Sequence, residues 1–524
     1  VTFASAELTK ESERVSRPAV QIANPIEEEK LKRAIVKIRR RRLGSAITDL
    51  GGGGLSCAAG EMANRSNCGV HIALENVPLK YPGMAPWEIY VSESQERMLL
   101  SVREKNLEKV LDAFHSEGVK ATPVGVFTEG NAVKVDYQGY TVADLDLHFL
   151  FDPPKSQRIA EWKAPDYAEP NFAEPLDLTH DLLKVLSSPN IASKESVIRT
   201  YDHEVKGNTV LKPLRGKHGG PNDAAVIKPL NNSWKGIVIS CGMNPNYGRI
   251  DPFWMAASAI DEAIRNNVSV GGRRIALLDN FTWGSPEKPD RLAGLVRACR
   301  ACYDLAKAFE TPFISGKDSL YNESPLGPVT PTLLITAIGI IPNIRKTISV
   351  DVKSPGNLIY LVGRTYPELG GSEYYKLRGF VGKTVPKVRP TQARKIVNSV
   401  TSAIDSGYVE SCHDLSEGGL GVAAAEMALS GGYGIELDLR NVLRVKNMRR
   451  SDYTLFSESN SRFLVEVSER HREDFEALMK NNAYSRIGRV RKEGRFSVYG
   501  MNERRIVEAG LAELREVWKG TLGG

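Results

Sequence analysis

One long pattern occurs twice in this chain, and each copy sets an acidic residue beside a glycine cluster. The first copy reads Asp49-Leu50-Gly51-Gly52-Gly53-Gly54-Leu55, then Ala58-Ala59 and Glu61-Met62-Ala63. The second reads Asp414-Leu415-Ser416-Glu417-Gly418-Gly419-Leu420, then Ala423-Ala424 and Glu426-Met427-Ala428. Asp49 and Asp414 stand 365 positions apart, and the same 365 positions separate Ser92-Glu93-Ser94-Gln95 from Ser457-Glu458-Ser459-Asn460. Two motifs held in register without a gap argue for a duplicated domain. A period this long is no solenoid. It predicts two copies of a globular unit with other domains between them.

At 524 residues the chain has room for about three to four domains. Residues 1–150 read as one α/β unit: a helix over Pro25–Arg40, the Asp-Gly segment, a helix over Cys57–Asn64, and strands near 69–74, 97–102 and 133–137. Residues 151–198 carry Asp152-Pro153-Pro154, Ala164-Pro165, Glu169-Pro170 and Glu174-Pro175, a composition that predicts a linker lying over a neighbouring domain. Residues 199–345 form a second kind of unit, with strands at 237–241, 275–278, 312–315 and 332–340 and helices over 251–267 and 291–309. Residues 346–524 restart the first pattern, opening on a strand at Leu358–Val362 that has no counterpart in the first unit. That difference, and a chain that starts on Val1, predict residues upstream of Val1.

Bulk properties exclude several classes. Apolar content is 41%, ordinary for a globular protein. No apolar run approaches the roughly 18 residues of a membrane helix. The net charge of +7 is modest, and its one dense run, Lys37-Ile38-Arg39-Arg40-Arg41-Arg42, ends a helical pattern where cations are favourable. No aromatic residues interleave that run, so neither a nucleic-acid nor a membrane partner is expected. The six cysteines include a single Cys299-x-x-Cys302 within a helical stretch, without a second pair or a nearby His. They suit a reducing cytoplasm.

Four segments carry chemistry. Asp49 ends a strand-like segment and enters four glycines, whose N–H groups can approach a phosphate while the carboxylate holds Mg²⁺. The same residues equally suit a turn with Asp as helix N-cap. Ser92-Glu93-Ser94-Gln95 suits a ribose or phosphate, or plain polar capping. Asp279 and Gly316-Lys317-Asp318-Ser319 stand at the C-terminal ends of predicted strands, where ligands of α/β sheets gather. A turn with a local ion pair is the alternative. His413 precedes Asp414, but Thr48 takes its place in the first copy, so His413 reads as structural. No phosphate-loop signature, His-Glu-x-x-His or Gly-x-Ser-x-Gly is present.

Taken together, Phe3-Ala4-Ser5, Arg17 to Gln21, Asp49 to Gly54, Pro86 to Ile89, Ser92 to Met98, Asn280 to Pro289, Phe313 to Glu323 and His413 to Gly419 closely resemble the synthetase subunit family of phosphoribosylformylglycinamidine synthase. The resemblance covers nearly the whole chain. It implies a duplicated α/β architecture like that of aminoimidazole ribonucleotide synthetase, with a barrel-forming N-type domain and two C-type domains. Residues 1–150 look like the first C-type domain, 199–345 like the second N-type domain and 346–524 like the second C-type domain with a tail. A first N-type domain, home of the family's catalytic His, has no counterpart here.

The activity so implied is that of a C–N ligase. ATP and Mg²⁺ serve as cofactors, and formylglycinamide ribonucleotide is converted to formylglycinamidine ribonucleotide with ammonia. The ammonia comes from a glutaminase subunit, and a small bridging subunit completes the complex. By the same resemblance Gln21, Glu93, Ser94, Gln95 and Ser319 look like substrate-binding residues, Asp279 and Gly316 like nucleotide contacts, and Asp49 like a Mg²⁺ ligand. Lys317 stands where many relatives have a metal-binding Asn, although an ammonium has no lone pair to give. Asp414, Ser457 and Glu458 look like a degenerate second site. Two other readings are a non-catalytic nucleotide-binding assembly module and another ATP-using synthetase of the same superfamily.

Overall fold

The computed structural model describes residues 9–11, 24–80, 82–200 and 204–522. It divides into two compact units, Val1–Arg158 and Ile159–Gly524.

In the first unit the helix Pro25–Arg40 starts on a proline, carries Glu27 and Glu28 in its first turn and ends on Lys37, Arg39 and Arg40. Both charge sets complement the helix dipole. Its buried Leu31, Ala34 and Ile38 recur at helical spacing and pack with Val110, Ala113 and Phe114 of the helix Leu107–His115. The strand Gly44–Asp49 pairs antiparallel with Met98–Val102. A four-stranded sheet runs in the order Gly125–Thr128, Gly69–Ala73, Ala132–Tyr137, Tyr140–Asp146, with only its middle pair parallel. The helix Leu55–Arg65 shares a core with this sheet through Leu55, Ala58, Ala59, Val70, Ile72, Val133 and Val135.

The second unit contains two larger sheets. The first has the order Phe313–Ser319, Arg273–Thr282, Thr332–Ile341, Gly236–Gly242, Ala224–Ile227, Thr209–Leu211. Its first pair is parallel because the helix Pro289–Phe309 carries the chain back between those strands. Leu333, Ile335 and Ala337 alternate inward and share a core with the helices Pro252–Ser269 and Pro289–Phe309.

The other sheet runs Ser411–Asp414, Phe463–Val467, Leu358–Val362, Tyr484–Arg491, Gly434–Asp438, Arg495–Tyr499, Arg505–Gly510. Leu358–Val362 is buried on both faces. Leu358, Tyr360 and Val362 enter one core, with residues of Pro390–Ser406. Ile359 and Leu361 enter the other, with residues of Gly419–Gly431. Each such fully buried apolar side chain contributes about 1.5–3 kcal/mol.

This central strand explains how the two copies differ. In the second, Leu358–Val362 joins Phe463–Val467 to Tyr484–Arg491, so seven strands form one sheet. The first copy has no counterpart among the described residues, and its strands fall into a pair and a separate sheet of four.

The Pro-rich segment packs onto the core of the second unit. It contains the helix Thr179–Leu186, which the composition hid, and Leu178, Leu182, Val185 and Leu186 are fully buried in the second unit's core. Phe172 stacks on Phe380 and meets Tyr374, Tyr375 and Tyr453. One correction concerns Asp279 and Gly316–Ser319. They lie within paired strands, Asp279 opposite Gly316 and Thr282 opposite Ser319, because both strands run past the apolar residues that signalled them.

Candidate functional site

Asp49 is the last residue of its strand, opposite Met98, and its side chain is exposed. The chain then turns through Gly51–Gly54, closed by the Gly54 N–H donating to the Gly51 carbonyl at 3.0 Å. Gly53 and Gly54 hold φ of +76° and +56°. A side chain on Gly54 would collide with the Ser92 carbonyl. Glycine is therefore required there twice over, by conformation and by space. Gly54, not Asp49, is the N-cap of the helix Leu55–Arg65, so the capping alternative for Asp49 falls away.

The Glu93 carboxylate accepts from the Gly53 N–H at 2.9 Å. Arg97 braces the segment after it, donating to the Ser92 carbonyl at 2.6 Å and the Ser94 carbonyl at 2.9 Å. The Ser92 and Ser94 hydroxyls lie 3.1 Å apart, and Ser94 and Gln95 are exposed. Asp49, Glu93, Ser94 and Gln95 thus gather around one glycine turn. Gln21 lies outside the described residues.

Asp279, Gly316, Lys317 and Ser319 gather on the parallel strand pair of the second unit. The Asp279 carboxylate lies directly over Gly316, where any side chain would strike it. Burial, with Asp318 adding to it, raises the Asp279 pKa. Lys317 is exposed on the edge strand, opposite Asn280. The Ser319 carbonyl accepts from the Trp283 N–H at 2.9 Å and from the Asn322 amide at 2.7 Å.

The family model described as AIR synthase related protein, C-terminal domain, matches residues 1–138 and 354–501. The corresponding N-terminal domain model matches residues 221–341. Phosphoribosylformylglycinamidine synthase subunit PurL of Thermococcus sibiricus is 36% identical over 520 residues, 99% of this chain and 70% of that protein. The same subunit of Thermoplasma volcanium is 36% identical over 526 residues, 99% of this chain and 68% of that protein. The chain belongs to the PurL family. Membership assigns it phosphoribosylformylglycinamidine synthase activity, a ligase step of purine biosynthesis, and nucleotide binding. Among solved structures, T. maritima PurL complexed with ADP has a TM-score of 0.63 at 21% identity, covering 90% of this chain and 68% of that one. T. maritima PurL complexed with FGAR has a TM-score of 0.62 at 21% identity, covering 90% and 66%. These likenesses establish the PurL fold.

The second copy of this PurL-family chain repeats the glutamate and arginine bonds of the first. Glu458 accepts from the Gly418 N–H at 2.8 Å, and Gly418 and Gly419 hold φ of +75° and +61°. Arg462 donates to the Ser457 and Ser459 carbonyls at 2.6 and 2.8 Å, and those two hydroxyls lie 3.0 Å apart. Arg97 and Arg462 keep the same spacing as the motifs, a sequence signal that a longer reading of the repeat would have caught.

Its surroundings are different. Asp414, Ser457 and Glu458 are buried. Arg265 enters from the helix Pro252–Ser269 and bonds Asp414 at 3.1 Å, Ser416 at 2.8 Å and the Leu415 carbonyl at 3.2 Å, while also pairing with Asp261. Tyr247 donates to Glu458 at 2.6 Å. Burial, reinforced by Glu417, raises the Glu458 pKa to about 8. Burial likewise takes Glu417 to about 7. His413 is held between Asp223 at 2.6 Å and Glu426 at 3.0 Å. Burial opposes its charging, but the two carboxylates outweigh burial and keep its pKa well above the usual value. No local pattern flags Tyr247, Arg265 or Asp223. Each acts across more than 140 positions of chain.

Proposed function

We propose that the chain carries the substrate- and nucleotide-holding half of an ATP-dependent formylglycinamidine ribonucleotide synthetase. The observation that carries this reading is the open glycine turn of the first copy, with Asp49 exposed beside it and Glu93 bonded to Gly53. The closed second copy shares the backbone but presents no comparable open face. Gln21, Glu93, Ser94 and Gln95 of the first unit are the candidate contacts for formylglycinamide ribonucleotide, and Ser319 of the second unit is a separate candidate. Asp279 and Gly316 would meet ATP.

Asp49 fits Mg²⁺ by donor type, since it is an exposed hard oxygen with small neighbours that admit a phosphate. The ion would neutralise phosphate charge as the terminal phosphoryl group passes to the amide oxygen. Lys317 has no lone pair for a metal, and its part would be to offset phosphate charge directly. Ammonia, supplied by a glutaminase partner through a complex with a small bridging subunit, would then displace phosphate to form the amidine. The protein's share of catalysis is orientation and charge neutralisation.

The test is ATP- and substrate-dependent phosphate release with ammonium chloride as nitrogen donor. It is run on the chain with the first N-type domain of a PurL protein supplied in trans, with and without the glutaminase and bridging subunits of that system. Turnover lost in Asp49→Asn and Glu93→Gln but kept in Glu458→Gln is the expected result. Nucleotide binding without turnover under every condition would overturn the reading and leave a binding module.

A further inference from the structure

We infer that Asn322 is a positioning residue for the synthetase reaction: it fixes Ser319 in place at the end of its strand. The inference rests on the reading of Ser319 as a contact for formylglycinamide ribonucleotide.

Ser319 and Thr282 are the last residues of the parallel strands Phe313–Ser319 and Arg273–Thr282, and they stand opposite each other. Ligands of α/β sheets gather at this C-terminal edge. Beyond it both segments leave the sheet. There one side chain joins them. The Asn322 amide nitrogen donates to the Ser319 carbonyl at 2.7 Å and to the Trp283 carbonyl at 3.0 Å, so it ties both strand ends at one point. The Ser319 hydroxyl lies 3.3 Å from the same nitrogen and 3.4 Å from the amide oxygen. The backbone completes the clamp. The Trp283 N–H donates to the Ser319 carbonyl at 2.9 Å, and the Asn322 N–H to the Trp283 carbonyl at 3.0 Å.

The turn between Ser319 and Asn322 is strained. Tyr321 holds a φ of +65°, which is unusual for a bulky side chain. Such a residue persists only where its surroundings over-determine it, and strain of this kind gathers at binding sites. The surroundings do so here. The Tyr321 N–H donates to the Gly284 carbonyl at 3.4 Å and its hydroxyl to Glu287 at 3.3 Å. The next acid, Glu323, is buried and accepts from the Ser285 N–H at 2.9 Å and from Lys288 at 2.7 Å. A carboxamide suits position 322 because one NH₂ group serves two carbonyls at once. A carboxylate of the same shape has no hydrogen to give and would repel both.

The test is KM for formylglycinamide ribonucleotide and kcat in the reconstituted ammonium assay, for wild type, Ser319→Ala, Asn322→Asp and the double variant. Each single change is expected to raise KM about tenfold with kcat little changed. The double variant should lose no more than the larger single loss, because both changes remove the same contact. A side chain that serves only the stability of the turn would not couple to Ser319 in this way. Thermal midpoints show which variants fold, and Asn322→Ser, whose hydroxyl can serve one carbonyl, carries the test if Asn322→Asp does not. Wild type without turnover, or KM unchanged in Ser319→Ala, would remove the reading of Ser319 and this inference with it. KM raised in Ser319→Ala but not in the Asn322 variants, or losses that multiply to about a hundredfold in the double variant, would overturn the inference alone.

Discussion

The guanidinium of Arg265 lies 3.1 Å from the carboxylate of Asp414, and both side chains are buried. Asp414 is the counterpart of Asp49, so one copy of the repeat carries a fixed internal cation against the acid that the other copy exposes. Two carboxylates, Asp261 and Asp414, share this arginine. Removing one partner of a buried pair costs about 3–5 kcal/mol, because a charge is left without compensation. Arg265→Met should destabilise the second unit by about that amount in urea unfolding. Adding Asp414→Asn to Arg265→Met should recover part of the loss, and no recovery would mean that the arginine acts through packing alone.

Gly54 and Gly419 face the carbonyls of Ser92 and Ser457 at positive φ. Gly54→Ala and Gly419→Ala should each cost more than about 1 kcal/mol, since strain and collision add. Gly510, whose added side chain would meet nothing, is the control and should change little. Denaturant midpoints of the three variants decide the matter.

Glu458 keeps its proton to about pH 8 in the folded chain, against an ordinary value of 4.5. Between these values the folded state binds more protons than the unfolded one, so this residue's contribution to stability falls as pH rises from 4.5 to about 8. His413 acts in the same direction: its folded pKa is raised, so its contribution is complete below about pH 6.5 and is lost as pH rises through the folded value. Glu458→Gln preserves the acceptor for Gly418 and should flatten the stability–pH curve over this range. An unchanged slope in calorimetric scans from pH 5 to 8 would refute the assignment.

Arg97 holds two carbonyls of the Ser92–Gln95 segment through two different nitrogens. Lysine offers one ammonium and cannot reproduce the fork. Arg97→Lys should weaken substrate binding by about tenfold while moving the thermal midpoint little, as read by KM against kcat and by thermal unfolding. A fall in kcat with KM unchanged would point to a different role for the segment.

Much of the site was legible in the residue order. The glycines at 53, 54, 418 and 419 announced turns because only glycine takes their backbone without strain. The constant spacing announced the duplication, and the structure shows Glu93 and Glu458 making the same bond, at 2.9 and 2.8 Å. In the sequence alone the edge-strand residues 316–319 look as if they follow a strand, because their polar side chains mask pairing. Backbone register with residues 279–282 continues regardless, since hydrogen bonds between main chains do not depend on side-chain polarity.

Sequence by itself determined the duplication, the turns and the identity of the acids, all of which are local properties of spacing and backbone freedom. Tertiary structure alone decided which copy would be sealed. Tyr247 and Arg265 reach the second copy from the helices Pro245–Gly248 and Pro252–Ser269, 211 and 149 positions away from Glu458 and Asp414. A carboxylate's exposure and proton affinity depend on what packs against it in space, and chain order does not record that.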